Sequence, residues 1–341
     1  MFTETIQLNE ERNVTLTAYI QDAGGEFDYV VKRPAILVIP GGGYQFCSAR
    51  EADPVALAYM KAGYQAFVLR YSVAENGTWP NPLEDYEQAM DMIRSNAEKW
   101  MLYEDKVAVI GFSAGGHLAA AAATMSKNRP NAAILGYAVA GADVKSCNPT
   151  APDTVAAVDK NTCPCFLFST RTDNLVPVEN TLDFMSALAK HGIAFESHIY
   201  AFGPHGFSTC DSSIQYRETK MCNRVANWVE DSIGWLKDIF GDFGREGMTE
   251  PACDGHANGN HLSYLSVDCT LGKLMEVPEA AEVVKGFLEA AKEKANAVEF
   301  ADVYNSQFQK LILRGILGFA STPKEVVDAL DAQLRMIKNK D

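Results

Sequence analysis

The residues best placed to do chemistry are Gly111-Phe112-Ser113-Ala114-Gly115, which follow a short apolar run, Lys106–Ile110, and open a segment of helical period, Gly116–Met125. A serine in G-x-S-x-G between a strand and a helix sits on a turn too sharp for relaxed backbone angles. Glycine on both sides lets strand and helix pass closely, because a Cβ there would obstruct them. The strain lifts the hydroxyl clear of the sheet. The Ala114 N–H faces the same space, and the helix N-terminus adds a field that favours a developing oxyanion. The pentapeptide alone also arises by chance. Its strand–turn–helix setting makes Ser113 a candidate acyl-transfer nucleophile.

Such a serine needs a base, an acid to orient the base, and amide donors. In this setting the partners follow the serine in the order acid, then histidine, each just past the C-terminal end of a late strand. The run Cys165–Ser169 leads into Thr170-Arg171-Thr172-Asp173, and Glu196–Ala201 leads into Phe202-Gly203-Pro204-His205. His205 is therefore expected as general base, with Asp173 fixing its tautomer and stabilising the imidazolium. Competing residues sit less well. His117 lies one turn past the serine, where packing is the simpler role. His191 ends a helix, His198 is inside a strand, and His256 and His261 fall in a polar stretch. Asp153 and Asp159 precede the relevant strand, and Asp183 is within a helix.

The first central strand ends in Pro40-Gly41-Gly42-Gly43-Tyr44. A glycine turn here brings backbone N–H groups close to a substrate carbonyl, so Gly42, Gly43 and Ala114 are the expected oxyanion donors. No Gly-Lys-Ser/Thr follows, which argues against a phosphate loop. Tyr44, Trp79 and Tyr137 are near enough in this reading to line a substrate pocket, although aromatics in such loops also serve as packing. The set needs no cofactor and no metal. Cys253, His256, His261 and Cys269 fit no standard zinc spacing.

What must position these residues is legible in the hydrophobic rhythm. Residues 5–18 alternate polar and apolar around a polar patch at 9–13, as an antiparallel hairpin would. Short apolar runs then alternate with helical segments. The runs are Ala35–Ile39, Ala66–Leu69, Val107–Ile110, Ala132–Ala138, Cys165–Ser169 and Glu196–Ala201. Helices are expected near 51–62, 84–99, 114–126, 178–191 and 217–239. Apolar runs of this kind fit strands buried on both faces, hence an α/β fold with a mostly parallel central sheet flanked by helices. Residues 1–240 are expected as the catalytic domain and the Gly-rich, polar stretch 241–265 as a linker. Residues 266–341 read as a small all-helical module, with helices at 278–294, 298–317 and 323–338.

The chain of 341 residues carries a formal charge of −14, a field that repels phosphate backbones and anionic lipid. Nucleic acid and membrane surfaces are thus not expected as partners. No run reaches the roughly 18 apolar residues that span a bilayer. The N-terminus lacks the basic start and apolar stretch of a secretory signal, so a cytoplasmic enzyme with eight reduced cysteines is expected.

Four separated segments carry a family resemblance: PGGGY with SAREADPVALAYMKAGYQAFVLRYS, GFSAGGHLAA, CPCFLFSTRTDNLVPVEN, and GPHGFS. In this order they resemble the acetyl esterase and acetylxylan esterase-like branch of the α/β hydrolases, over about residues 1–240. The resemblance implies an α/β-hydrolase fold and a serine esterase that removes short acyl groups, acetyl first, from small-molecule or oligosaccharide esters through an acyl-enzyme. Pro40 stands where many relatives have the histidine of HGGG, which moves the chain away from the hormone-sensitive-lipase-like branch. The short stretch between Ala138 and Cys163 leaves room for a minimal cap and an open site. An exopeptidase or an aryl formamidase would use the same triad, but nothing before Ser113 is long enough for a peptidase's gating propeller. A non-catalytic scaffold is disfavoured by the intact catalytic positions. Leu271-Gly-Lys-Leu274 with Val277-Pro-Glu-Ala280 resembles a helical module appended to some glycosidases of gut clostridia. It leaves open an interaction surface, a homo-oligomer contact or a cover for the catalytic domain.

Overall fold

The alternating N-terminal segment folds back on itself: β1 (Phe2–Asn9) and β2 (Val14–Ile20) pair antiparallel. The computed structural model describes residues 1–215, 219–294 and 308–339. After the hairpin come β3 (Arg33–Ile39), α1 (Asp53–Lys61), β4 (Gln65–Arg70), α2 (Asn81–Ser95), β5 (Leu102–Phe112) and α3 (Ser113–Thr124). They are followed by β6 (Ala132–Gly136), β7 (Cys165–Thr170), α4 (Glu179–His191), β8 (Phe195–Tyr200) and α5 (Trp228–Phe240). The eight strands form one sheet in the order β1-β2-β4-β3-β5-β6-β7-β8. β2 meets β4 antiparallel, and every pairing from β4 to β8 is parallel.

The central strands are apolar at consecutive positions because both their faces are covered. Leu37, Val109 and Leu167 face one core, filled by Tyr86, Met90 and Ile93 of α2, Leu118 of α3, and Phe184 and Leu188 of α4. Their neighbours Val38, Ile110 and Phe168 face the other, filled by Val55 and Tyr59 of α1 and by Trp228 and Leu236 of α5. Each fully buried side chain of this size contributes about 1.5–3 kcal/mol relative to exposure, which fixes the strand register from both sides.

Three stretches differ from expectation. The apolar run 132–138 leaves the sheet at Gly136, and Tyr137 turns with φ +35°. The helix expected at 217–239 begins only at Trp228. Residues 216–218 lie outside the described part. Residues 219–224 form no helix, the Cys222 N–H being held by the Phe202 carbonyl at 3.0 Å, and a 3-10 turn at Val225–Asn227 precedes the helix. The helix starts where Trp228 stacks on Phe168, ring centroids 4.2 Å apart. The third is the expected linker. The first compact unit runs from Met1 to Gly255, past position 240. Residues 243–248 form a hairpin, β9 (Phe243–Gly244) with β10 (Gly247–Met248), and the Asp238 carbonyl accepts the N–H groups of Ala252 and Cys253.

The second unit, His256–Asp341, contains α6 (Leu271–Glu276), α7 (Pro278–Lys294), α8 (Leu313–Phe319) and α9 (Lys324–Leu334) around Leu274, Val284, Leu317 and Leu330. Much of the helix expected at 298–317 lies outside the described residues. From 308 the chain makes a 3-10 turn, and α8 begins at Leu313. No helix among the described residues is long and apolar enough to cross a membrane.

Candidate active site

Ser113 is the first residue of α3, held at φ +53°, a left-handed conformation that costs a non-glycine residue of order 1–3 kcal/mol. The flanking glycines make the turn physically available. A Cβ on Gly111 would lie 2.1 Å from the Gly115 carbonyl oxygen, and one on Gly115 would lie 2.3 Å from the oxygens of Ile39 and Pro40. Only bare backbone fits between β5, α3 and the end of β3.

The loops after β7 and β8 bring the other two side chains to the same edge. Thr170 and Thr172 hydroxyls both donate to the Gly203 carbonyl, at 2.8 and 3.2 Å, and the Gly203 N–H returns to Thr172 Oγ1 at 3.0 Å. Asp173 is nearly inaccessible, and its Oδ1 accepts the N–H groups of Leu175 and Val176 at 2.9 Å each. Oδ2 accepts from His205 Nδ1 at 2.7 Å. An ionised carboxylate only accepts, so Nδ1 carries the ring proton and Nε2 presents its lone pair. The Ser113 hydroxyl lies 2.9 Å from that nitrogen. Ser113, His205 and Asp173, far apart in sequence, form one hydrogen-bonded line.

This line opens into a cavity of about 680 Å³ whose lining includes Ser113, His205, Gly42 and Gly43. The Gly42 and Gly43 N–H groups have no acceptor among the described residues, whereas the Gly41 N–H is spent on Glu51 Oε2 at 2.9 Å. Ala114, in the first turn of α3, has no intrahelical partner for its N–H. Gly42 and Gly43 thus border the cavity, and Ala114 directly follows the serine that lines it.

The aromatic candidates lie behind the cavity wall and do not line it. Tyr44 and Tyr137 are each 1% exposed, and their hydroxyls are committed to His117 Nδ1 at 2.6 Å and Glu51 Oε1 at 2.7 Å. Trp79 is half-buried with its ring edge-on to His117, and none of the three lines the cavity. The walls are instead Phe46, Leu175 and Val176, with Arg50, Glu51 and Asp143 among the charged members and the 139–147 segment closing one side. Phe46 and Leu175 are 59% and 71% exposed. Their signal was adjacency: one follows the glycine turn, the other follows Asp173. His117 is fully enclosed, with Nε2–H donating to the Pro152 carbonyl at 2.8 Å. Burial pushes its pKa down to about 4.

Cys269 packs in the core of the second unit, and His261 Nδ1 bonds the Asn258 carbonyl. Among the described residues no group of three or more His, Cys, Asp or Glu is arranged to hold a metal ion.

With this geometry in hand, similarity to known proteins is informative. Residues 28–137 match the family described as BD-FAE. Endo-1,4-beta-xylanase B of Butyrivibrio fibrisolvens is 34% identical over 215 residues, 54% of this chain and 34% of that protein. The acetylxylan esterase of Xylanibacter ruminicola is 31% identical over 246 residues, 65% of this chain and 49% of that protein. The chain therefore spans half or less of the length of these two relatives. Among solved structures, MGS-M1, an α/β hydrolase enzyme from a Medee basin deep-sea metagenome library, is 43% identical with a TM-score of 0.66. That match takes in 70% of this chain and 98% of the other.

Proposed function

The chain belongs to the α/β-hydrolase superfamily, on its acetylxylan-esterase-like branch, and from that premise we propose that it is a serine hydrolase of carboxylic esters working through an acyl-enzyme. Ser113 Oγ attacks the ester carbonyl while its proton passes to His205 Nε2. Asp173 holds the ring and stabilises the imidazolium. The oxyanion is met by the N–H groups of Gly42, Gly43 and Ala114, fixed before the reaction and costing no reorganisation. The imidazolium returns the proton to the departing alkoxide. Water, losing a proton to His205, then attacks the acyl carbonyl and frees the acid and Ser113. The observation that carries this reading is the continuous Ser113–His205–Asp173 line ending in a cavity beside unspent amide donors.

The substrate we propose is a short acyl ester, acetyl first, of a carbohydrate or other neutral alcohol. Its support is the acetylxylan esterase relative and a cavity bordered by apolar Phe46, Leu175 and Val139. The test is a panel of p-nitrophenyl esters of increasing chain length beside acetylated xylo-oligosaccharides, aminoacyl amides and N-formylkynurenine. Acetyl esters should lead it. Ser113→Ala should lower kcat by roughly 10⁴–10⁶-fold. Undiminished turnover in that variant, or preference for the amides, would end the proposal.

A further inference from the structure

One buried carboxylate in the cavity wall takes no part in the steps above. Glu51, 3% exposed, ends the single 3-10 turn Ala49–Glu51. Its Oε2 accepts the Gly41 N–H at 2.9 Å, and Gly41 directly precedes the two glycines whose N–H groups are unspent. Its Oε1 accepts the Tyr137 hydroxyl at 2.7 Å. The Tyr137 ring stands edge-on to the His205 imidazole, centroids 4.9 Å apart, and its oxygen accepts the Ser208 N–H at 3.1 Å. The Ser208 hydroxyl in turn donates to the Arg50 carbonyl at 2.6 Å. Residues 50 and 51 thus grip both halves of the site, the glycine turn on one side and the histidine loop on the other.

We infer that Glu51 is a positioning residue for the proposed reaction: as a carboxylate it sets the Gly41–Gly43 turn and, through Tyr137, the His205 ring in register with Ser113. The inference rests on the esterase reading of the site. Both carboxyl oxygens act as acceptors, one toward the Gly41 N–H and one toward the Tyr137 hydroxyl. An amide at this position could keep the Gly41 bond only by turning its NH2 group toward Tyr137, which reverses the direction of that hydrogen bond and forces the tyrosine proton elsewhere. No cation lies within ion-pair distance of Glu51 among the described residues, so N–H and O–H dipoles alone offset its burial. A carboxyl group kept in that setting is explained by what it holds.

The decisive variant is Glu51→Gln, which keeps the volume and removes one acceptor. It should fold, lose roughly 10- to 100-fold in kcat on p-nitrophenyl acetate, and keep KM within about twofold, since a displaced donor costs less than a deleted one. Affinity for a trifluoromethyl ketone inhibitor should fall in parallel with kcat, because such an analogue needs the oxyanion turn in place. If the wild type turns over no ester, the esterase reading fails and this inference with it. If the wild type is active through Ser113 and folded Glu51→Gln keeps its kcat, or loses only in KM, the positioning role alone is overturned. Should Glu51→Gln not fold, Tyr137→Phe puts the same question by deleting the linking hydroxyl. A several-fold drop in kcat at constant KM supports the role, and an unchanged kcat overturns it.

Discussion

His205 and His117 lie on the same domain, and each is hydrogen-bonded at both ring nitrogens. At His205, Nδ1–H meets the Asp173 carboxylate and Nε2 meets a serine hydroxyl at the edge of a cavity. At His117, Nε2–H meets the Pro152 carbonyl and Nδ1 accepts the Tyr44 hydroxyl, within a wall of α3 alanines. The number of bonds is equal and the chemistry is not. An imidazolium at 205 would face a carboxylate that is itself held by two backbone N–H groups. An imidazolium at 117 would lose its bond from Tyr44 and find no hydrogen-bonded carboxylate, and burial pushes that ring's pKa down to about 4. What separates the proposed base from the enclosed histidine is the charge of the partner and access to the cavity.

The comparison breaks most visibly through activity. His205→Ala should lower kcat on p-nitrophenyl acetate by roughly 10⁴–10⁶-fold while leaving the thermal midpoint little changed, since the ring sits at a cavity edge. Substantial turnover in that variant would show that another base serves Ser113. Asp173→Asn comes next, at roughly 10⁴-fold. Its amide can donate to Nδ1, which moves the ring proton to Nε2 and turns it against the serine hydroxyl. Activity within tenfold of wild type would mean that Asp173 does not set the tautomer.

The convergence of Ser113, Asp173 and His205 was legible in the sequence because its information is local. A glycine on each side of Ser113, and a polar turn just after each of two late apolar runs, mark the elbow and the two loops without knowledge of the packing. The strands themselves are likewise marked by where apolar runs recur, whereas their order in the sheet, with β4 between β2 and β3, is not. Packing-determined features were hidden. Tyr44 looks like a pocket residue in the linear chain, but φ +61° turns it inward against Tyr71 and His117, partners 27 and 73 positions away. Glu51 reads as an ordinary charge at the start of a helix, and only the fold shows that Gly41 and Tyr137 converge on it. The 241–255 stretch has a linker's composition because tight hairpin turns use the same residues. Its attachment comes from partners distant in sequence: the Ala194 N–H bonds the Gly255 carbonyl at 3.0 Å, and the Arg33 guanidinium lies 5.9 Å from the centre of the Phe243 ring.

The structural half of the comparison predicts a stability effect. The unfolded His117 ring takes up a proton near pH 6.5, while the folded ring resists it down to about 4, so acid draws the equilibrium toward the unfolded state. The native state should be fully stable above about pH 6.5 and lose up to about 3 kcal/mol from this group as pH falls toward 4. Urea unfolding at pH 7 and pH 4.5 checks it. His117→Gln should be less stable than wild type at pH 7 but lose less on acidification, and equal losses would remove His117 as the cause.

The smallest effect separates the cavity wall from what lies behind it. Tyr44→Phe removes one hydroxyl and leaves His117 Nδ1 without its donor, which should cost about 1 kcal/mol in unfolding free energy. Because the Tyr44 ring does not line the cavity, kcat and KM for acetyl esters should both stay within about twofold of wild type. Phe46→Ala, two residues further on, should instead raise KM for acetylated xylo-oligosaccharides with little change in stability, since that ring is mostly exposed at the mouth. If the two variants exchanged behaviours, the boundary drawn here between Tyr44 and the substrate would be wrong, and the His117 wall would belong to the binding site.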